Sequence, residues 1–450
     1  MRVTEISLCI LASLALCATS AHADDSGAKA QELDQLYQAV GKLERRIAEL
    51  ESQPKAAPVS ASGAGAWAER VRVSGSANLG WLEGANLGIF EHGSIKLYDA
   101  RFFIDADLAR DARIGESLLF RDVGFAFEWN VYRVGMNANN VGDLYVDFRG
   151  IADQDWLNFT LGRFNIPFGE GYLRYGRGYY TDPFIALSNP SPWFWDEGVK
   201  LWGKLFEGKA SYVFSLTDGE GDSNYLANGS QQVTLKLAAD PWEWLHLSVS
   251  GLRSGAIASD TTFDIASIWL GETIVSGFGR ISGAPNFDHG VAIADGPIKL
   301  HDIQIIGGDV ILKLPDTRLW LAYGGARIDS AGGTTYDRDL IYWLAEALVQ
   351  LKLISPRLAP AYVALRASGL GTYSDDEGYL LDFRNGAVGY NMSEYNTYAL
   401  VLGLPIGDYI TLKGQYAFQR IALVRGVTDP TVKDAAKHAD FFGMEIGVHF

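Results

Sequence analysis

The chain has 450 residues, of which 48% are hydrophobic and 12% aromatic, and its formal net charge is −16. An acidic balance of this size argues against nucleic acid as a partner. Beyond the first 23 residues no run of about 18 apolar residues occurs, so the sequence predicts no transmembrane helix.

Residues 1–23 have the features of a secretory signal peptide. An apolar run from Ile6 to Ala18 is followed by small residues of the A-x-A type that end at Ala23. The sequence therefore predicts an exported protein, cleaved after Ala23. Cys9 and Cys17 are the two cysteines of the chain, so the mature protein is expected to carry neither a thiol nor a disulfide.

Residues 24–53 carry a heptad-like seam. Six apolar residues recur at alternating spacings of three and four among charged residues: Leu33, Leu36, Val40, Leu43, Ile47 and Leu50. This spacing predicts a coiled-coil helix, and a helix this short needs a partner for its apolar stripe. Self-association is favoured over packing against the rest of the chain. Residues 54–69 begin with proline and are rich in small residues, which indicates a flexible linker.

Residues 70–450 consist of segments in which apolar and polar side chains alternate. A period of two places successive side chains on opposite faces of a strand. One such segment also occurs in soluble sandwiches, but repetition over this length favours an all-β, transmembrane antiparallel β-barrel. Tight turns alternating with long connections predict 16 strands, and a further hairpin at 261–282 would make 18. The tight turns are expected at 111–115, 152–155, 207–208, 240–243, 315–316, 355–357 and 405–408.

The last strand ends on an aromatic residue. Its apolar side chains share one face: Phe442, Met444, Ile446, Val448 and Phe450. A terminal strand of this kind resembles the barrel-closing strand of bacterial outer-membrane proteins, which the barrel assembly machinery reads. It is expected to pair with the strand that starts near Val71, in contact with outer-membrane lipid and lipopolysaccharide.

Three motifs occur in order along the chain. They are LGRFNIPFGEG at 161–171, DEGVKLWGKL at 196–205 and YVFSLTDGEGDSN at 212–224. Together they resemble the phosphate-selective porin O and P family, with its G-[RK]-F-x-x-P-x-G and D-x-G-V-x-L-x-G runs. The resemblance implies a homotrimeric outer-membrane porin for passive diffusion of small hydrophilic or anionic solutes, phosphate among them. Asn165 stands where that family commonly has lysine.

The long connection at 165–197 is the third outward one, which in porins folds into the channel. Guanidinium groups beside phenols favour anions or sugar-like solutes. The predicted constriction and solute-binding residues lie in this connection, on polar strand faces or, for Arg163, in the first motif: Arg101, Arg163, Tyr172, Arg174, Tyr175, Arg177, Lys200 and Lys204.

Two other functional classes are alternatives. The coiled coil suggests a structural protein that tethers the envelope, and His246 shares a polar face with Ser248 and Ser250, as a barrel hydrolase would require. No third catalytic group is assignable, however, and neither G-x-S-x-G nor H-E-x-x-H occurs. The sequence therefore predicts a protein that is not an enzyme, with no cofactor and no metal site.

Overall fold

Sixteen antiparallel strands form one closed barrel in the computed structural model of the protein. The structure describes residues 69–84, 93–133, 140–175, 182–185, 188–189, 195–219, 231–254, 257–259, 272–273, 277–279, 299–330, 338–372, 379–383, 388–423 and 439–450. The predicted signal peptide, the coiled-coil seam and almost all of the linker lie outside these residues. Among the described residues, no helix has the length and apolar character needed to cross a bilayer.

The barrel strands are numbered in chain order. They are β1 Val71–Glu83, β2 Ser94–Ile114, β3 Ser117–Arg133, β4 Asn140–Arg149, β5 Asn158–Asn165, β6 Trp195–Leu205, β7 Ala210–Thr217, β8 Gln232–Trp242, β9 Leu245–Arg253, β10 Lys299–Leu314, β11 Thr317–Ser330, β12 Arg338–Gln350, β13 Tyr362–Thr372, β14 Val388–Ile406, β15 Ile410–Leu423 and β16 Ala439–His449. The described parts of the connections contain five short strands: Ser188–Asn189, Ile257–Ser259, Glu272–Thr273, Gly277–Gly279 and Tyr379–Phe383. Among the described residues, helical turns occupy Ile151–Asp153, Phe206–Gly208, Leu351–Leu353 and Pro356–Leu358, and a short helix, α1, spans Gly171–Tyr175.

The terminal strand closes the barrel. β16 pairs with β15 and, on its other side, with β1, where Val448 lies opposite Ala77. The backbone N–H and C=O of Phe450 each form a 3.0 Å hydrogen bond with Gly75. Every strand edge in the wall is therefore paired, and the predicted 16-stranded closed barrel is confirmed.

The alternative with 18 strands is wrong. In the region expected to supply an extra hairpin, Glu272–Thr273 pairs with Gly277–Gly279 and with Ser188–Asn189. Gly277–Gly279 also pairs with part of Tyr379–Phe383. These short strands bond to other connections, whereas β9 bonds directly to β10, so they add nothing to the wall.

The two faces of the wall have opposite character. On β13 the side chain of Leu365 is 52% exposed, whereas its neighbours Ala364 and Arg366 are buried. On β8, Leu235 is likewise exposed and Lys236 buried. The outward face is thus apolar and the interior face polar, which is the reverse of a water-soluble barrel.

Aromatic side chains gather at the tight-turn end of the barrel. Trp242 and Trp244 flank the turn between β8 and β9 and stack with ring centroids 5.4 Å apart. Phe206 and Tyr409 occupy two other tight turns and are 77% and 62% exposed. Exposed aromatic rings at one level of a barrel are typical of the girdle at a membrane interface.

Candidate functional site

Most buried cations on the interior wall are paired with carboxylates. Arg101 lies 3.1 Å from Asp99 and 3.2 Å from Glu128, and all three side chains are buried. Lys413 lies 3.0 Å from Glu445 on the neighbouring strand. A buried charge is stable only when it is paired and hydrogen-bonded, so these pairs neutralise much of the positive charge of the wall.

The connection between β5 and β6 is first held against the wall at Gly169 and Glu170. The Gly169 amide donates to Ser250 Oγ at 3.0 Å, and Lys236 Nζ donates to the Gly169 carbonyl at 2.6 Å. The Glu170 carboxylate lies 2.7 Å from Lys236 and 2.9 Å from His246 Nε2. We call these contacts the first anchor; they join the connection to β8 and β9.

Glu170 stays ionised over a wide pH range. Burial tends to raise its pKa, but the hydrogen bonds and positive charges of His246 and Lys236 outweigh burial and lower the pKa from 4.5 to about 2. A carboxyl group whose pKa is lowered by its partners stabilises the state in which it contacts them. This contribution is complete at pH values above the unperturbed pKa and is lost as the pH falls through the lowered pKa.

We therefore expect the first anchor to hold from neutral pH down to about pH 4.5 and to weaken as the pH approaches 2. Channel conductance recorded in planar bilayers across this range should change with acid at the low end. The variant Glu170→Gln should lack the part of that change that is due to Glu170. An acid response identical in both proteins would contradict the assignment.

A second part of the same connection, residues 182–185, lies against a different part of the wall. The Asp182 carboxylate lies 3.0 Å from Arg366 on β13, and Ile185 N–H donates to Gln415 Oε1 on β15 at 2.7 Å. The guanidinium carbon of Arg366 also lies 3.9 Å from the centroid of the Phe184 ring. These contacts form the second anchor.

The two anchors show that the connection enters the barrel. The first anchor lies on β8 and β9 and the second on β13 and β15, with β10, β11 and β12 between them in the wall. Both bind side chains of the interior face, including Lys236 and Arg366. The inward course predicted for residues 165–197 is confirmed for these two described parts.

The structure places the predicted constriction residues in different surroundings. Arg101 and Lys200 lie on interior-facing positions, and Lys236 Nζ lies 4.7 Å from the centroid of the Tyr172 ring. Lys204 shares the parity of Lys200 and is exposed near the tight-turn end.

Strand parity places Arg163 with outward-facing Leu161, but the Arg163 side chain is buried. Its Nε donates to the Val141 carbonyl at 3.0 Å, and its Nη1 lies 4.0 Å from Glu197. Arg174 and Tyr175 belong to α1, with side chains outside the described part, and Arg177 lies outside it altogether.

Sequence reasoning did not identify the anchor residues as a group. Glu170 lies within the recognised GEG run, but its partners Lys236 and His246 are far away in sequence, and alternation alone marks them only as interior. The same holds for Asp182 and Arg366, which are 184 residues apart.

The arrangement around His246 does not suit a hydrolase. Its Nδ1 lies 3.1 Å from Asp240 and its Nε2 2.9 Å from Glu170, so both ring nitrogens contact carboxylates. Ser248 donates to Asp309 instead, and Ser250 accepts the Gly169 amide. A catalytic histidine needs one nitrogen directed at the nucleophile, which this geometry does not provide.

No family model and no curated protein sequence matches the chain. Solved structures are similar to it. OmpT, an outer membrane protein of Vibrio cholerae, has a TM-score of 0.53 for the in-vitro folded form, at 11% identity, over 84% of this chain and 97% of that chain. The outer-membrane expressed form of the same protein has a TM-score of 0.51 with the same identity and coverage. The outer membrane channel DcaP of Acinetobacter baumannii has a TM-score of 0.50 at 11% identity, again over 84% and 97%. At these identities the likeness is one of fold.

Proposed function

We propose that the protein is an outer-membrane porin, a water-filled channel through which small hydrophilic solutes diffuse passively. The observation that carries the proposal is a closed barrel with an apolar outward face, a polar interior and a connection anchored inside it. Only a closed barrel satisfies all backbone hydrogen bonds of strands in lipid, and a polar interior admits water. The similar fold of an outer membrane channel supports the same function.

The partners follow from the surfaces of the barrel. The outward apolar wall would contact outer-membrane lipid and lipopolysaccharide, and the terminal strand ending at Phe450 would be read by the barrel assembly machinery. We propose a homotrimer, because the seam from Leu33 to Leu50 has the spacing of a self-associating coiled coil. A tether to the envelope through that coiled coil is the alternative role of the N-terminal segment.

The proposed selectivity is modest, with a preference for anions. Interior cations such as Arg101, Arg366 and Lys413 are paired with carboxylates, so little uncompensated positive charge is left to strip water from phosphate. Phosphate is therefore proposed as one permeant solute among several. Within the constriction, Arg174 and Arg177 of the inserted connection, beside Tyr172 and Tyr175, would favour anions.

Purified protein in planar lipid bilayers should produce discrete conductance steps, with a reversal potential that shifts under a chloride or phosphate gradient. Absence of steps from protein that shows heat-modifiable mobility on gels, and is therefore folded, would exclude a porin.

Replacing both Arg174 and Arg177 by alanine should shift permeability toward cations, because two positive charges leave the constriction. The reversal potential in asymmetric KCl measures the shift. The matched control replaces Arg110 and Arg113, which lie in β2 near its tight turn and are exposed, and it should leave selectivity close to that of the wild type. Equal selectivity of both double variants would contradict the assignment.

A further inference from the structure

A cavity on the interior face differs from the rest of the wall in its charge pairing. Its volume is about 270 Å³, and it is lined by residues of β4 to β7 and the start of the inserted connection: Asp143, Tyr145, Phe164, Asn165, Tyr172, Leu173, Lys200, Trp202 and Val213. We call it the Lys200 cavity. Concave sites with aromatic walls and a few polar groups are where proteins hold small ligands.

Lys200 is a cation with unused hydrogen-bond donors. Its Nζ lies 4.8 Å from the centroid of the Phe164 ring and 5.3 Å from that of Tyr145. Within the described part of the chain its ammonium group forms no hydrogen bond, in contrast to Lys236, which donates to the carbonyl of Gly169. Cation–π contacts with these two aromatic rings hold the ammonium group in place while leaving its N–H groups available.

Asn165, the last residue of β5, lines the same cavity and carries a buried amide. Its side chain is 7% exposed, and neither Oδ1 nor Nδ2 has a hydrogen-bond partner among the described residues. Its backbone N–H donates to Asp143 Oδ1 at 3.3 Å, which fixes the residue beside a carboxylate. A buried amide without partners is costly, so this position is suited to a ligand that both donates and accepts hydrogen bonds.

The chemistry of the lining distinguishes between ligand classes. Ammonium and amide donors stand beside amide and carboxylate acceptors, and Trp202 and Tyr145 add apolar ring faces. An inorganic anion would meet the Asp143 carboxylate, and Asp147 lies nearby, bound to the Thr160 hydroxyl directly opposite Lys200 in the register. Hydroxyl groups donate and accept at once and carry no charge, and the C–H face of a sugar ring packs on aromatic rings.

We infer that the Lys200 cavity is a binding site for a neutral, hydroxyl-rich solute of monosaccharide size. The inference rests on the proposed porin function and names a solute class for its inner wall. Lys200 and Asn165 would hydrogen-bond the hydroxyl groups, Asp143 would accept from them, and the aromatic rings would face the sugar ring.

The test is a titration of glucose against single channels of the full-length protein in planar bilayers. Wild-type current should show concentration-dependent block, and Asn165→Ala and Lys200→Met should each weaken the apparent affinity roughly tenfold, the effect of about one lost hydrogen bond to a buried group. Asn130→Ala is the matched control. Asn130 is also a buried asparagine with both amide atoms unpartnered in the described part, but it does not line the cavity. Its variant should bind glucose as the wild type does.

Gluconate and inorganic phosphate serve as anionic probes in the same experiment. Block by either anion without block by glucose would overturn the neutral-solute assignment. The site would be overturned if wild-type channels conduct but glucose does not block them, or if glucose blocks Lys200→Met as strongly as the wild type. Both outcomes would leave the porin function intact. Failure of folded wild-type protein to conduct at all would instead reject the proposed function. Heat-modifiable mobility identifies folded variants, and Lys200→Met, which keeps most of the side-chain length, decides the test if Asn165→Ala does not fold.

Discussion

Replacing Asp182 by alanine should raise the single-channel conductance and its noise, because this variant weakens the second anchor. Asp182 is 2% exposed, and its Oδ1 accepts both the Phe184 amide at 3.0 Å and Arg366 Nη2 at 3.0 Å. Hydrogen bonds to charged groups contribute about 1.5–3 kcal/mol each, so their loss is large for a short segment. Arg366 keeps its partner Glu346 at 2.8 Å, which avoids leaving an unpaired buried charge in the wall.

Two variants separate this explanation from general damage. Asp182→Asn keeps an oxygen that can accept from the Phe184 amide but loses the negative charge, so its conductance should lie between those of the wild type and Asp182→Ala. Asp408→Ala removes an exposed carboxylate in the turn between β14 and β15 and should not alter conductance. Unchanged conductance in correctly folded Asp182→Ala would show that the second anchor does not set the pore size.

Replacing Gly162 by alanine should prevent most molecules of the protein from folding into the barrel. Gly162 has a φ of +132°, a backbone angle that residues with a side chain rarely adopt. An added Cβ would lie 2.3 Å from the Leu144 carbonyl oxygen of the adjacent strand. Backbone strain of this kind costs about 1–3 kcal/mol, and a clash with backbone in a paired strand cannot be relieved by a rotamer change.

The folded fraction after refolding into detergent, measured by heat-modifiable mobility, checks the effect. Gly251→Ala on β9 is the matched control, because an added Cβ there meets nothing within 4 Å. It should fold with wild-type yield. Equal yields from both variants would show that the close approach at Gly162 is not required.

The glycines of the recognised motifs illustrate what could and could not be predicted from the sequence. The motifs mark Gly162, Gly198 and Gly203 as landmarks but not why glycine is needed. In the barrel, a Cβ at Gly198 would lie 2.2 Å from the Leu216 carbonyl oxygen, and one at Gly203 would lie 1.9 Å from that of Trp156. Glycine is therefore needed at these positions because backbone from residues distant in sequence packs closely against them, and the alternation of apolar and polar residues does not reveal this.

The surroundings of Arg163 could not be predicted from the sequence. The motif marked this residue, and its charge suggested the channel, but the alternation of β5 places it beside Leu161 on the outward side, near Glu197. Near a strand end, a long guanidinium side chain can reach backbone carbonyls and neighbouring carboxylates whatever its parity.

The sequence by itself determined the barrel, because the period of two, the tight turns and the terminal aromatic strand are local patterns. Each strand satisfies its backbone hydrogen bonds with its neighbouring strands. The sequence also determined which residues of a strand share a face, because parity is fixed by register. Only the tertiary structure decided which inward groups meet. Asp182 finds Arg366, Glu170 finds Lys236, and Lys200 is left beside aromatic rings without a hydrogen-bonded partner in the described part. These contacts depend on where an inserted connection crosses the interior, and no local pattern encodes a meeting between residues up to 184 positions apart.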